Sequence, residues 1–167
     1  MTFATTSCNN MNLRKVEINY TEYSSPAELP VADRELVEAA IAAQKSSYAP
    51  YSHFNVGAAV RLDDGTIVIG SNQENAASPS GLCAERTAMF AASAAHPGVP
   101  MVSLAVAGGP SFGLCEDPAT PCGACRQVMA EYQKTGGKPM SVLLVGESRI
   151  LKFERIDDIL PFIFDSI

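Results

Sequence analysis

Two short stretches of this chain place reactive side chains at spacings that suggest chemistry. In SGLCAERTA (residues 80–88), a thiol at Cys83, a carboxylate at Glu85 and a guanidinium at Arg86 fall within four positions. In PCGAC (residues 121–125), Cys122 and Cys125 form a CxxC. A CxxC by itself is open to three readings: half of a zinc site, a redox pair, or two thiols on one helix. A structural zinc site would call for a second CxxC or a spaced histidine pair, and the two histidines, His53 and His96, lack that spacing. The nearest strong donor is Cys83, 39 positions before Cys122. Three protein ligands with an open fourth position is the arrangement of a catalytic zinc, which acidifies a water held there. Such a centre needs an acid/base beside it that is not a ligand. Glu85, two positions after Cys83, fits that part. Three thiolates would leave the centre with excess negative charge, and Arg86 and Arg126 each follow a ligand closely enough to offset it.

The elements that must carry these groups follow from the pattern of apolar and turn residues. A polar lead-in occupies residues 1–15, and a short strand or extended segment covers 16–31. Asp33 reads as the N-cap of a helix to about residue 49, with Leu36, Val37, Ala40 and Ile41 on one face and Pro50 as its stop. Residues 54–62 and 66–70, joined through Asp64-Gly65, read as a β-hairpin. A polar loop leads to a helix over 83–95 that His96-Pro97-Gly98 ends. A strand over 101–107, a Gly- and Pro-rich loop, a helix over 122–134 and strands over 140–145 and 149–153 follow, with a helical turn over 157–162. The tight turn at 146–148 makes the last two strands antiparallel. Alternation of this kind predicts an α/β domain with a mixed sheet of about five strands covered by helices. Cys83, Cys122 and Cys125 then all fall at helix starts, where the free N–H groups favour thiolates.

Composition narrows the field. The 167 residues are 47% hydrophobic and 18% charged, which suits one globular domain over 16–167 behind a polar extension at 1–15. A net charge of −6 without a basic stripe argues against nucleic acid and anionic membranes as partners, though not against an uncharged nucleoside. No apolar run approaches a membrane span. The N-terminus lacks the pattern of a secretory signal, and five unevenly spaced cysteines do not suggest a disulfide framework, so a cytoplasmic location is expected. Cys8 and Cys115 read as ordinary core fillers.

Taken together, Cys83-Ala84-Glu85 and Pro121-Cys122-Gly123-Ala124-Cys125 resemble the motifs of the zinc-dependent cytidine deaminases, in the compact type with Cys as first ligand. Tyr48-Ala49-Pro50-Tyr51-Ser52, the strand start at 54–59, Asn72-Gln73-Glu74-Asn75-Ala76 and residues 121–132 extend the resemblance, which covers roughly 30–165. It implies a three-layer α/β/α sandwich and hydrolytic deamination of cytidine and 2′-deoxycytidine in pyrimidine salvage. It implies one Zn²⁺ per chain on Cys83, Cys122 and Cys125, with Glu85 moving protons between water, ring N3 and the leaving ammonia. It further implies Phe54 against the pyrimidine, Asn72 and Glu74 on the ribose hydroxyls, and the backbone of Ala84 on the base. Phe164 would reach a neighbouring subunit's site in a homotetramer. Ser78 stands where many compact members carry an aromatic residue, and the region at 114–116 has no clear counterpart.

Other readings make different demands. A relative acting on a modified cytosine nucleoside, such as a blasticidin-type antibiotic, would share the zinc motifs. A non-catalytic zinc module would have no use for Glu85. A thiol redox protein built on CGAC would be indifferent to zinc.

Overall fold

The structure is a computed structural model that describes residues 12–165. Most of the expected N-terminal extension, Cys8 included, lies outside the described residues. Six strands form one mixed sheet: β1 (Thr21–Tyr23), β2 (Phe54–Leu62), β3 (Ile67–Ser71), β4 (Met101–Pro110), β5 (Ser141–Val145) and β6 (Ile150–Phe153). Their spatial order is β1-β6-β5-β4-β2-β3, with β4 and β5 parallel and the other neighbours antiparallel. The expectation of about five strands falls one short. The sixth is β1, three residues paired to β6 from Thr21↔Lys152 to Tyr23↔Ile150, inside the 16–31 segment read as a short strand or extended lead-in and left out of that count.

Three helices cover the sheet: α1 (Val31–Ala43), α2 (Ala84–Ala95) and α3 (Gly123–Gly136). Strand side chains alternate between faces, so neighbouring residues join different cores. Ala59, Ala105, Ala107, Leu143 and Val145 pack with Leu36, Val37 and Ala40 of α1. Ala58, Val60, Leu104, Val106, Val142 and Leu144 pack with α2 and α3 on the other side. The result is the three-layer α/β/α sandwich. On the α1 face the small strand residues let the helix come close. A Cβ added at Gly57 would fall 2.1 Å from the Ala40 carbonyl oxygen, and one at Gly70 would fall 2.3 Å from the Ala88 nitrogen of α2. Gly57→Ala therefore forces α1 off the sheet, an overpacking cost of about 3 kcal/mol. Urea unfolding should show it as a lower midpoint with an unchanged slope.

Some boundaries differ from expectation. The first helix begins at Val31 with Pro30 as N-cap, not at Asp33, and its α-helical part ends at Ala43, before a 3₁₀ turn over Gln44–Ser46. Asp33 sits in the first turn and pairs with Lys152 Nζ at 3.0 Å, both side chains 15% exposed, tying α1 to β6. The Pro30 carbonyl accepts the Arg34 N–H at 3.0 Å, so the helix starts two residues before Asp33. The expected helix near 157–162 is a single 3₁₀ turn, Ile156–Asp158.

The order of elements brings two helix starts together. The β2–β3 hairpin feeds the loop that ends at Cys83 and α2, and β4 feeds the loop that ends at Cys122 and α3.

Candidate active site

Cys83 and Cys122 are the N-cap residues of α2 and α3, each with extended backbone, and neither side chain caps its own helix. Their sulfurs are thus free to turn toward each other. Thr87 secures the first turn of α2 by donating from its N–H (3.0 Å) and Oγ1 (3.1 Å) to the Cys83 carbonyl. Arg126 N–H bonds the Cys122 carbonyl at 3.0 Å. The Sγ atoms of Cys83, Cys122 and Cys125 lie within 4.8 Å of one another, with Cys83 and Cys122 4.0 Å apart. A tetrahedral zinc with Zn–S bonds near 2.3 Å needs sulfurs about 3.8 Å apart, so this donor set fits zinc without rearrangement of the backbone. Three sulfur donors at two helix starts are also a soft, electropositive setting that suits Zn²⁺.

The electrostatics of the cluster are uneven. The Cys83 thiol is lowered to about 5, first by its hydrogen bond with the Cys125 thiol and then by Arg86 and Cys122, with burial opposing. Cys125, fully buried, is pushed up, chiefly by Cys83 beside it and by burial. Arg86 Nη2 donates to Cys83 Sγ at 3.6 Å. Arg126, expected to share the charge-balancing part, instead donates to backbone carbonyls: Nε to Pro121 (2.9 Å) and Nη1 to Ile159 (2.9 Å). It ties the C-terminal segment to the start of α3. Glu85 is 4% exposed, in the first turn of α2. Burial is the main force holding its carboxyl above the usual range, with the neighbouring Cys83 charge adding to it and its own backbone N–H acting against.

A cleft of about 440 Å³ opens beside this cluster and reaches it at Cys83. Asn72, Glu74, Ser78, Cys83 and Arg86 share its wall with Tyr51. Phe54, Ala84, Glu85 and Phe164 are not on that wall. Phe54 begins β2, half-buried, and its ring edge comes 3.2 Å from where a Cβ on Gly108 would stand. Ala84 is fully buried as the first residue of α2. Phe164 is 66% exposed, and its carbonyl accepts Gln127 Nε2 of α3 at 2.6 Å.

Two polar residues on the cleft are already partly engaged. Asn72 Oδ1 accepts Val56 N–H and its Nδ2 donates to the Phe54 carbonyl, both at 2.9 Å, so it clamps the start of β2. Glu74 Oε2 accepts the N–H groups of Tyr51 (2.9 Å) and Ser52 (3.3 Å), and the Ser52 side chain first, then these N–H groups, hold its carboxyl below the usual range. One amide hydrogen of Asn72 and Oε1 of Glu74 remain for a ligand.

Sequence reasoning gave no part to Gln73. Its backbone exchanges two bonds with Leu82 (2.9 Å each), and its Nε2 donates to Ser71 Oγ (3.0 Å) and the Ser46 carbonyl (3.2 Å). It joins the segment before Cys83 to the segment before Tyr48. Nothing in the periodicity of a polar loop signals such a strut.

The family model for the cytidine and deoxycytidylate deaminase zinc-binding region matches residues 30–136. A cytidine deaminase of Halalkalibacterium halodurans is 45% identical over 100 residues, 59% of this chain and 71% of that protein. A cytidine deaminase of Mycobacterium tuberculosis is 38% identical over 122 residues, 73% of this chain and 81% of that protein. Among solved structures, the cytidine deaminase of Burkholderia pseudomallei superposes with a TM-score of 0.66 at 42% identity, covering 78% of this chain and 97% of that one.

Proposed function

This chain belongs to the cytidine and deoxycytidylate deaminase family, and from that premise we propose that it hydrolyses cytidine and 2′-deoxycytidine to uridine and 2′-deoxyuridine, consuming one water and releasing ammonia. The observation that carries this reading is the juxtaposition of the three-cysteine cluster, the buried Glu85 and the cleft of Asn72 and Glu74. Cys83, Cys122 and Cys125 hold one zinc, which when bound supplies a water nucleophile at neutral pH. Glu85, anchored by the same helix start as Cys83, takes a proton from the attacking water and delivers it to N3 of the cytosine ring. It then assists departure of the amino group from C4 as ammonia. Its position two residues past a ligand lets it reach that water without ligating the metal.

Phe54 lies against the pyrimidine, held by Asn72 through its carbonyl and by Ser52 Oγ, which accepts its N–H at 3.1 Å. The remaining Asn72 hydrogen and Glu74 Oε1 meet the ribose hydroxyls, and the Ala84 backbone touches the base. Arg86 tempers the thiolate charge through Cys83. Removing it in Arg86→Gln should lower zinc retention and cut kcat/KM by about tenfold, since a charge-assisted contact of this kind is worth about 1.5 kcal/mol. Metal analysis alongside a cytidine assay checks both, and unchanged values for the variant overturn the role.

Exposed Phe162 (85%) and Phe164 (66%) on the C-terminal segment support assembly into a homotetramer in which Phe164 reaches a neighbouring site, and light scattering reads that state. Among the described residues no helix is long and apolar enough to cross a membrane. Three thiolates that must stay reduced to hold zinc favour a reducing, cytoplasmic setting.

The deciding experiment is ultraviolet absorbance of cytidine mixed with the purified protein, with zinc measured on the same sample. Conversion with about one zinc per chain is expected. Bound zinc without conversion of any cytosine nucleoside overturns the reading in favour of a non-catalytic module. Brisk turnover of a blasticidin-type nucleoside with negligible cytidine turnover would reassign the substrate and leave the chemistry in place.

A further inference from the structure

Ser111 (φ 53°) and Phe112 (φ 61°) stand consecutively in the left-handed region although neither is glycine. Backbone of this kind is costly for a residue with a Cβ and persists where its surroundings enforce it, often beside a functional site. Here the enforcing groups are two buried amides that the chemistry above does not use. Gln44, 1% exposed, places its amide nitrogen 2.9 Å from the Phe112 carbonyl and 3.2 Å from that of Gly113 in the orientation that satisfies both. Asn55, 8% exposed, accepts the Phe112 N–H at 3.3 Å and donates from Nδ2 to Ser47 Oγ at 2.7 Å.

Asn55 therefore joins the strained turn at 110–113 to the first residue of the segment 47–53. That same segment delivers the Tyr51 and Ser52 N–H groups to Glu74. Asn55 is also flanked by the two residues that Asn72 clamps, Phe54 through its carbonyl and Val56 through its N–H. Between the turn and the segment lies a second cleft of about 410 Å³, and Ser47, Asn55 and Phe112, the residues this link joins, all stand on its wall.

We propose that Asn55 is a positioning residue for ribose recognition: it locks the 47–53 segment onto the strained 110–113 turn and so fixes Glu74 where the nucleoside sugar meets it. The chain of contacts runs from the turn through Asn55 to Ser47, along the segment to Tyr51 and Ser52, and on to the Glu74 carboxylate. The proposal rests on the deaminase reading of the site.

Two variants separate this role from plain scaffolding. Asn55→Leu removes both bonds at similar volume, whereas Asn55→Asp keeps both, since a carboxylate accepts from the Phe112 N–H and from the Ser47 hydroxyl. With cytidine as substrate, Asn55→Leu should raise KM on the order of tenfold with kcat changed about twofold at most, because the loss falls on sugar binding and not on the reacting carbon. Zinc content should not change. Affinity for 2′,3′-dideoxycytidine, which lacks the 2′ and 3′ hydroxyls and is measured by competition, should move by about twofold or less. Asn55→Asp should restore most of the cytidine KM. Ser47→Ala, a surface-side change that leaves the strand intact, should show the same selectivity for cytidine over the dideoxy analogue. It keeps the test open if Asn55→Leu folds poorly.

Equal loss for both nucleosides, or a fall in kcat with zinc loss, overturns the proposal, as does Ser47→Ala behaving as wild type. Failure of the underlying reading shows separately, as no cytidine turnover by the wild type, and removes this proposal with it.

Discussion

Glu85→Gln should lower kcat/KM for cytidine by about ten-thousand-fold, the upper end of what one acid/base group contributes, while zinc and fold stay intact. That loss corresponds to about 5.5 kcal/mol of transition-state stabilisation. The substitution keeps volume and hydrogen-bonding capacity but removes the proton carrier, which matters for a side chain only 4% exposed. Truncation to alanine would add a cavity at the start of α2 and blur the result. Circular dichroism and metal analysis should be indistinguishable from wild type. A variant retaining activity within tenfold of wild type would sink the assignment of Glu85 and point to another proton carrier.

Cys125→Ser should abolish zinc retention and turnover together, and lower the melting temperature by about 10 °C, the equivalent of about 3 kcal/mol in a chain of this size. Cys125 is the ligand with no solvent exposure, packed in the core that α2 and α3 share with the sheet. Its loss therefore uncouples the two helix starts as well as the metal. Chelation of the wild type should reproduce the activity loss and reverse on adding zinc, whereas added zinc should not rescue the variant. Differential scanning calorimetry with and without chelator reads the stability part. A variant that keeps stoichiometric zinc would contradict the three-thiolate centre.

The site was legible in the sequence wherever function depends on residue type at short range. The spacings of Cys83 with Glu85 and of Cys122 with Cys125 point to a metal centre with a carboxylate nearby, and the structure brings the three sulfurs together and buries Glu85 in the first turn of α2. The helix starts that carry them were legible too, to within one or two residues. What stayed hidden depends on distant partners. Asn55 in FNVGAAVRL looks like an outward polar residue of a strand, yet it is buried, because Ser47 and the turn at 110–113 fold over it. Gln44 falls inside the helix expected to run to about residue 49, and its 1% exposure goes with the turn at 112–113, whose carbonyls its amide faces. Arg126 sits one position after a ligand, but the Ile159 carbonyl, 33 positions on, determines where its guanidinium points. Charge counting along the chain cannot find such a partner.

Gln73 makes one piece of backbone out of two walls of the cleft. Residues 72–74 pair on one side with Tyr48, whose N–H and carbonyl bond Asn72 and Glu74, and on the other with Leu82, the residue before Cys83. One short ribbon thus carries the Glu74 carboxylate and the segment that runs into Cys83. Under the proposed reading, the place of the sugar and the place of the metal would share that ribbon, so a change that opened the Gln73–Leu82 pairing would disturb both at once.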